Sequence, residues 1–209
     1  MNNGHQGQGF WYAIKQVYWE LSHPNQRFLY LEALLSWVPG YLGLLWRKKF
    51  YARYFERCGS NLTVYQGVKI RNVHHMSVGD DVYLGIDNTF QAGGGLIIKD
   101  RTAFGPGCKV WTLNHRFDEL DKPIMEQGYE YRPVVIGPDV WLAANVFVMP
   151  GVELPEGCVV SAGSVVGAKK YPPYSIIAGN PARVIGNRKK QADVPGETVL
   201  PELADVKQQ

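Results

Sequence analysis

The chain predicts an all-β fold, a parallel β-helix of six-residue repeats, with an α-helical appendage ahead of it and one loop extruded from its side. Three observations carry this expectation. From residue 136 every sixth position is aliphatic, at Ile136, Leu142, Val148, Leu154, Val160 and Val166, and Val140, Val146, Val152 and Cys158 stand four places after the first four. The same register reads upstream through Ile98, Phe104 and Val110, and before that through Val78, Leu84 and Phe90. Residues 11–57 have no such repeat and are rich in aromatics.

A period of six fits neither the 3.6 residues of a helical turn nor plain strand alternation. It fits a coil whose three sides are short strands joined by tight corners, about eighteen residues per coil. The aliphatic side chain of each repeat fills the narrow interior, small residues beside it let the backbone turn, and stacked coils share one core.

In chain order, residues 1–10 read as a flexible leader, because "MNNGHQGQGF" lacks the basic start, apolar run and cleavage site of a secretory signal. Residues 11–57 read as helices broken at "SHPN" and at Pro39-Gly40. From Phe28 to Trp46 only Glu32 is charged, but the Pro-Gly break argues against a membrane span and for a helical hairpin. That hairpin either lies in a bilayer interface, with Arg47, Lys48, Lys49, Arg53 and Arg57 toward anionic headgroups, or caps the first coil.

The coil domain is expected over 58–186. The step from Val78 to Ile98 is two residues longer than three repeats, and the surplus falls near "AGGG". After Val110 the next inward position would be 116, yet the pattern resumes at Ile136, so 116–135 is an extruded loop of 20 residues. The polar stretch 187–209 reads as a mobile extension.

A formal charge of +3, from 22 basic and 19 acidic residues, gives no bias toward nucleic acid. Cys58, Cys108 and Cys158 form no C-x-x-C pair and no disulfide framework, which suits a cytoplasmic chain, with peripheral contact to the inner face of the membrane if the helices reach it. The adjacent His74 and His75 would point to opposite faces of a strand, and no metal site is expected. "GPGC" and "GGG" lack the G-K-[ST] ending of a phosphate loop and read as coil corners.

Three stretches carry a family resemblance: "LNHRFD" before the extruded loop, the repeats "IGPDVWLAANVFVMPGVELPEGCVVSAGSVV", and the terminator "PPYSIIAGNPARVIG". Over residues 60–186 the chain resembles the hexapeptide-repeat acyltransferases, left-handed parallel β-helix proteins that include maltose, galactoside and nodulation-factor sugar O-acetyltransferases. The helical segment 11–57 resembles that of relatives acting on surface-polysaccharide precursors. The resemblance implies a homotrimer with active sites at subunit boundaries, acetyl-CoA as co-substrate, a sugar or glycan acceptor, and His115 as general base. Independently, a sugar hydroxyl attacking a thioester needs a base with a pKa near 7, which an imidazole supplies.

The second ring nitrogen of His115 would be oriented by Asp118, by Glu126, which similar enzymes favour, or by a backbone carbonyl. Around the acceptor the resemblance points to Asn114 and Asp118 and to "YLGIDNT", where Asp87 falls on the second Asn of an N-x-N pattern while Gly85 replaces the first. Asp87 and Asn88 are candidates there, or they ladder at a coil corner. For acetyl-CoA the carry-over falls on Trp141, Ala144, Ala162, Gly167 and Arg183 and on Lys169, with Lys170 the alternative because "VGAKKYPP" is one residue longer than in relatives; Trp141 is also readable as an interface aromatic and Arg183 as a phosphate ligand. Cys108 and Cys158 lie in the inward column, so direct transfer is expected rather than an acyl-enzyme. The rival readings are an N-acetyltransferase on an amino sugar or antibiotic, and a non-catalytic β-helix scaffold.

Overall fold

The computed structural model describes residues 9–191. Residues 1–8 of the expected leader and the expected tail beyond 191 lie outside the described residues. The coil has three faces. The first stacks Arg57–Cys58, Met76–Val78, Leu96–Ile98, Val134–Ile136 and Glu153–Leu154 in parallel. The second stacks Thr63–Val64, Tyr83–Leu84, Ala103–Phe104, Trp141–Leu142, Val159–Val160 and Ser175–Gly179. The third stacks Lys69–Arg71, Thr89–Gln91, Lys109–Trp111, Phe147–Val148 and Val165–Val166.

The aliphatic column of the sequence is the core. Val78, Ile98, Ile136 and Leu154 align in register on the first face, as do Leu84, Phe104, Leu142 and Val160 on the second. All eight are buried, with Phe90, Val110, Val148 and Val166 beneath the third face. Cys108 and Cys158 are buried with them, and burial pushes both thiols up, away from the reactive thiolate. At two corners the same φ-positive position recurs coil after coil, at Asn61, Asp81, Arg101 and Asp139, and at Gly67, Asp87, Gly107 and Asn145. Short polar residues and glycine tolerate that conformation, and Arg101 is the departure.

The third corner, from the third face back to the first, takes every length change. Register steps by 20 residues from Cys58 to Val78 and again from Val78 to Ile98, but by 18 from Ile136 to Leu154. The expected surplus at "AGGG" is therefore preceded by an equal one a coil earlier. There Val73–His75 form a short 3-10 turn. His74 and His75 consequently do not sit on opposite faces of a strand; their rings touch with centroids 4.2 Å apart. Among the described residues no group of three or more His, Cys, Asp or Glu is arranged to hold a metal. In the next coil the same corner releases the long excursion. The chain leaves the coil after Thr112 and rejoins it at Val134, so the excursion begins before His115 and ends before residue 135.

Three helices precede the coil: α1 (Phe10–Ser22), α2 (Pro24–Ser36) and α3 (Gly40–Tyr51). Pro24 opens α2 at a position where no donor is lost, and Pro39 with Gly40 separates α2 from α3. Their inner side caps the first coil. Arg47, 2% exposed, donates from Nε to the Val64 carbonyl at 2.9 Å and from Nη1 to the carbonyls of Leu35 and Val38 at 2.9 and 2.8 Å. Arg47 thus leaves the cationic cluster expected to face headgroups, because it satisfies the carbonyls at the end of α2 and at the coil edge. Tyr51 donates to the Val68 carbonyl at 2.9 Å, and the Glu32 carboxylate accepts the Ile70 N–H at 2.6 Å. Burial pushes Glu32 up to about 7, against the pull of the Ile70 N–H and of Arg71. Among the described residues no helix is long and apolar enough to cross a membrane.

Candidate active site

The excursion is a β-hairpin. Leu113–His115 pairs antiparallel with Tyr129–Tyr131, so that Leu113 faces Tyr131, Asn114 faces Glu130 and His115 faces Tyr129. Beyond His115 the Arg116 N–H donates to the Gly128 carbonyl at 3.1 Å. The tip is held by Gln127, whose amide donates to the carbonyls of Glu119 and Lys122 at 2.8 and 2.7 Å while its oxygen accepts the Glu119 N–H at 3.1 Å. Phe117, Leu120, Ile124 and Met125 stand exposed on it.

The hairpin is seated on "GGG". Gly94 donates its N–H to the Thr112 hydroxyl at 2.8 Å, that hydroxyl donates to the Gln91 carbonyl at 2.7 Å, and the Arg132 N–H donates to the Thr112 carbonyl at 2.8 Å. A Cβ on Gly94 would lie 2.1 Å from the Thr112 oxygen. Glycine is required there for close approach of two backbones.

His115 is half-buried, its ring against Tyr129 at a centroid distance of 4.4 Å and a tilt of 41°. Its Nδ1 is buried with no hydrogen-bond partner among the described residues. A cavity of about 650 Å³ opens beside it, lined by His115, Arg116, Phe117, Asp118 and the strand Tyr129–Tyr131. Asp118 reaches this cavity and pairs with Arg116 at 3.6 Å. Asn114 is exposed on the same strand.

Other expected residues lie elsewhere in the chain. Glu126 is exposed in the short turn Ile124–Glu126 at the hairpin tip and is absent from the lining around His115. The resemblance to similar enzymes suggested it; in this chain the antiparallel pairing lays the His115 ring on Tyr129. Asn88 is 0% exposed, and its side-chain oxygen accepts the Cys108 N–H at 2.9 Å, the coil-to-coil bond of the ladder alternative. Asp87 is exposed at a coil corner and lines a different cavity of about 700 Å³ with Glu32, Trp37, Gln66, Lys69 and Arg71.

The residues expected for acetyl-CoA follow the later coils. Trp141 is half-exposed on the second face, and Ala144 and Ala162 stand at one corner a coil apart, where the Gly163 N–H donates to the Ala144 carbonyl at 2.9 Å. The Gly167 carbonyl accepts the Tyr171 hydroxyl at 3.0 Å. Lys169 donates to the Ala182 carbonyl at 2.6 Å, and Arg183, exposed, to the same carbonyl at 3.1 Å. None of the six lines the His115 cavity. Sequence reasoning missed Tyr129 and Tyr131; the alternation "YEY", written opposite "LNH", was the available signal.

The profile of the family "Bacterial transferase hexapeptide (six repeats)" matches residues 133–168. A Mycobacterium tuberculosis protein named as an acetyltransferase is 38% identical over 111 residues, 53% of this chain but only 37% of that protein, so the chain spans well under half its length. A Staphylococcus aureus protein named as an acetyltransferase is 33% identical over 154 residues, 73% of this chain and 74% of the relative. An Escherichia coli protein named for colanic acid biosynthesis acetyltransferase is 30% identical over 155 residues, 74% of this chain and 81% of the relative. Among solved structures, a maltose O-acetyltransferase from Clostridium difficile is similar with a TM-score of 0.68 and 26% identity, covering 80% of this chain and 87% of that one. A hexapeptide-repeat-containing acetyltransferase of Vibrio cholerae, solved with acetyl coenzyme A, superposes with a TM-score of 0.69 at 21% identity, covering 88% and 93%.

Proposed function

Because the chain belongs to the hexapeptide-repeat acetyltransferases, we propose that it moves an acetyl group from acetyl-CoA to a hydroxyl of a sugar or surface-polysaccharide precursor, with His115 as general base. The observation that carries this reading is the histidine on the hairpin extruded from the side of the coil, its ring against Tyr129 and beside an open cavity. The similarity to a maltose O-acetyltransferase and to a colanic acid biosynthesis protein supports a sugar acceptor.

With Nδ1 buried, Nε2 is the nitrogen that takes the hydroxyl proton. The acceptor oxygen attacks the thioester carbonyl, backbone N–H groups stabilise the tetrahedral oxyanion, and the C–S bond breaks to release the CoA thiolate, which receives the proton from the imidazolium. Asp118 and Asn114 contact the acceptor from the hairpin side. Trp141, Ala144, Ala162, Gly167, Lys169 and Arg183 line the path of acetyl-CoA along the later coils. These residues and Asp87 complete the site from a neighbouring copy in a homotrimer, a role that the exposed apolar hairpin tip supports.

A thiol-release screen with acetyl-CoA and a panel of sugars and nucleotide-sugars tests the reading. The expected result is acceptor-dependent thiol release giving a product cleaved by mild alkali; an alkali-stable product would replace the ester by an amide and the acceptor hydroxyl by an amine. Tyr129 acts as a positioning residue. Aromatic pairs contribute about 0.5–1.5 kcal/mol, so Tyr129→Ala is expected to lower kcat about two- to twelve-fold. KM for acetyl-CoA should stay unchanged and Tyr129→Phe should restore kcat; a rise in KM alone would contradict the role.

A further inference from the structure

Helix α1 leaves its apolar side uncovered. Its 13 residues bury none of their side chains, yet it carries an apolar stripe of Phe10, Trp11, Ile14, Val17, Tyr18 and Leu21 at helical spacing, and Phe10 and Tyr18 are each 75% exposed. Its contact with the protein includes Glu20, whose carboxylate accepts a hydrogen bond from the Tyr30 hydroxyl of α2, while Ile14, Val17 and Leu21 of the stripe remain 42–44% exposed. A soluble surface helix buries such a stripe against the core. The outer side of α3 continues the same surface, with Tyr41, Leu42, Leu45 and Trp46 exposed beside Lys48 and Lys49.

Charge indicates what covers it. Residues 10–57 hold seven basic and three acidic side chains, a surplus of four, whereas the whole chain has a net charge of +3. All of the positive surplus therefore sits on the segment that exposes these aromatics. A second copy docking face to face would bring two such cationic surfaces together, which electrostatics opposes. An anionic bilayer surface suits both parts, since Trp and Tyr favour the headgroup level and Lys and Arg favour acidic lipids.

We propose that α1 and the outer side of α3 lie in the plane of an anionic membrane surface, with the stripe Phe10–Leu21 among the acyl-chain ends and Lys48 and Lys49 on the headgroups. The helices are too short to cross, so the attachment is peripheral. It does not depend on the acetyl-transfer reading.

Flotation of the full chain with vesicles tests it, comparing phosphatidylcholine alone with phosphatidylcholine containing phosphatidylglycerol. The protein is expected to float with the anionic vesicles at low salt, to be released as salt rises, and to bind neutral vesicles at least about tenfold less. The double variant Trp11→Glu/Tyr18→Glu should lose flotation with an unchanged melting temperature, because α1 buries nothing. Lys48→Gln/Lys49→Gln, which leaves α1 untouched, should lose the preference for anionic vesicles. Failure of the wild-type chain to float at low salt would overturn the proposal. So would a change in solution mass of the Trp11→Glu/Tyr18→Glu variant, which would assign the surface to a second copy.

Discussion

Replacing His115 by alanine is expected to lower kcat for acetyl transfer by about 10²- to 10⁴-fold, the range that a positioned general base supplies. KM for acetyl-CoA should change little, because the expected ligands of acetyl-CoA lie along the later coils and not around the cavity that His115 lines. The His115 ring is half-buried and touches Tyr129 on a hairpin outside the coil, so the melting temperature of the variant should remain close to that of the wild type. Thiol release from acetyl-CoA in the presence of a working acceptor is the measurement. Turnover within a few-fold of wild type would remove the histidine from the mechanism, whatever the acceptor.

Gly94→Ala is expected to have the second largest effect, on stability and activity together. The new methyl would stand 2.1 Å from the Thr112 carbonyl oxygen and 3.0 Å from the Arg132 nitrogen, and both are backbone atoms that no rotamer change can move aside. Relief requires lifting the hairpin off the coil, which breaks the Gly94 to Thr112 hydrogen bond and carries His115 with it. A loss of about 2–4 kcal/mol follows from strain of this kind, read as a fall in the denaturation midpoint. Gly93→Ala provides the internal comparison. There the methyl would meet the Leu113 Cδ2 at 2.7 Å and the Asn72 Nδ2 at 3.0 Å, both side-chain ends that can swing away. The cost at residue 93 should be clearly the smaller; the opposite ranking would mean that the hairpin is not seated through residue 94.

The coil was readable from the sequence because its interior admits one column of aliphatic side chains, and a strict column leaves a strict period. Departures from the period were readable only where composition marked them. The glycines at 93–95 flagged one enlarged corner, while the matching corner at Val73–His75 was missed because its valine is buried like any repeat residue and its histidines read as strand. His115 stood out because the rhythm broke beside it. Its neighbour Tyr129 did not, since contact between residues 115 and 129 is created by antiparallel pairing, and Glu126 is carried to the tip by the same pairing. The polar cap was equally hidden. Arg47 and Glu32 look like surface charges in the sequence, and only the geometry of the coil edge shows backbone groups waiting for them.

A parallel coil of this kind has no intrinsic length: any coil can template the next, so an open end invites another strand, including one from another molecule. Both ends of this coil are plugged. Arg47, Tyr51 and Glu32 occupy backbone groups of the first coil, and Ala182–Asn187 turns back antiparallel on Ser175–Gly179 at the last. Addition of a further strand is thereby opposed at the points where those backbone groups are taken. With those groups occupied, the flank is the part of the coil left open, and it is from the flank that the hairpin carrying His115 departs.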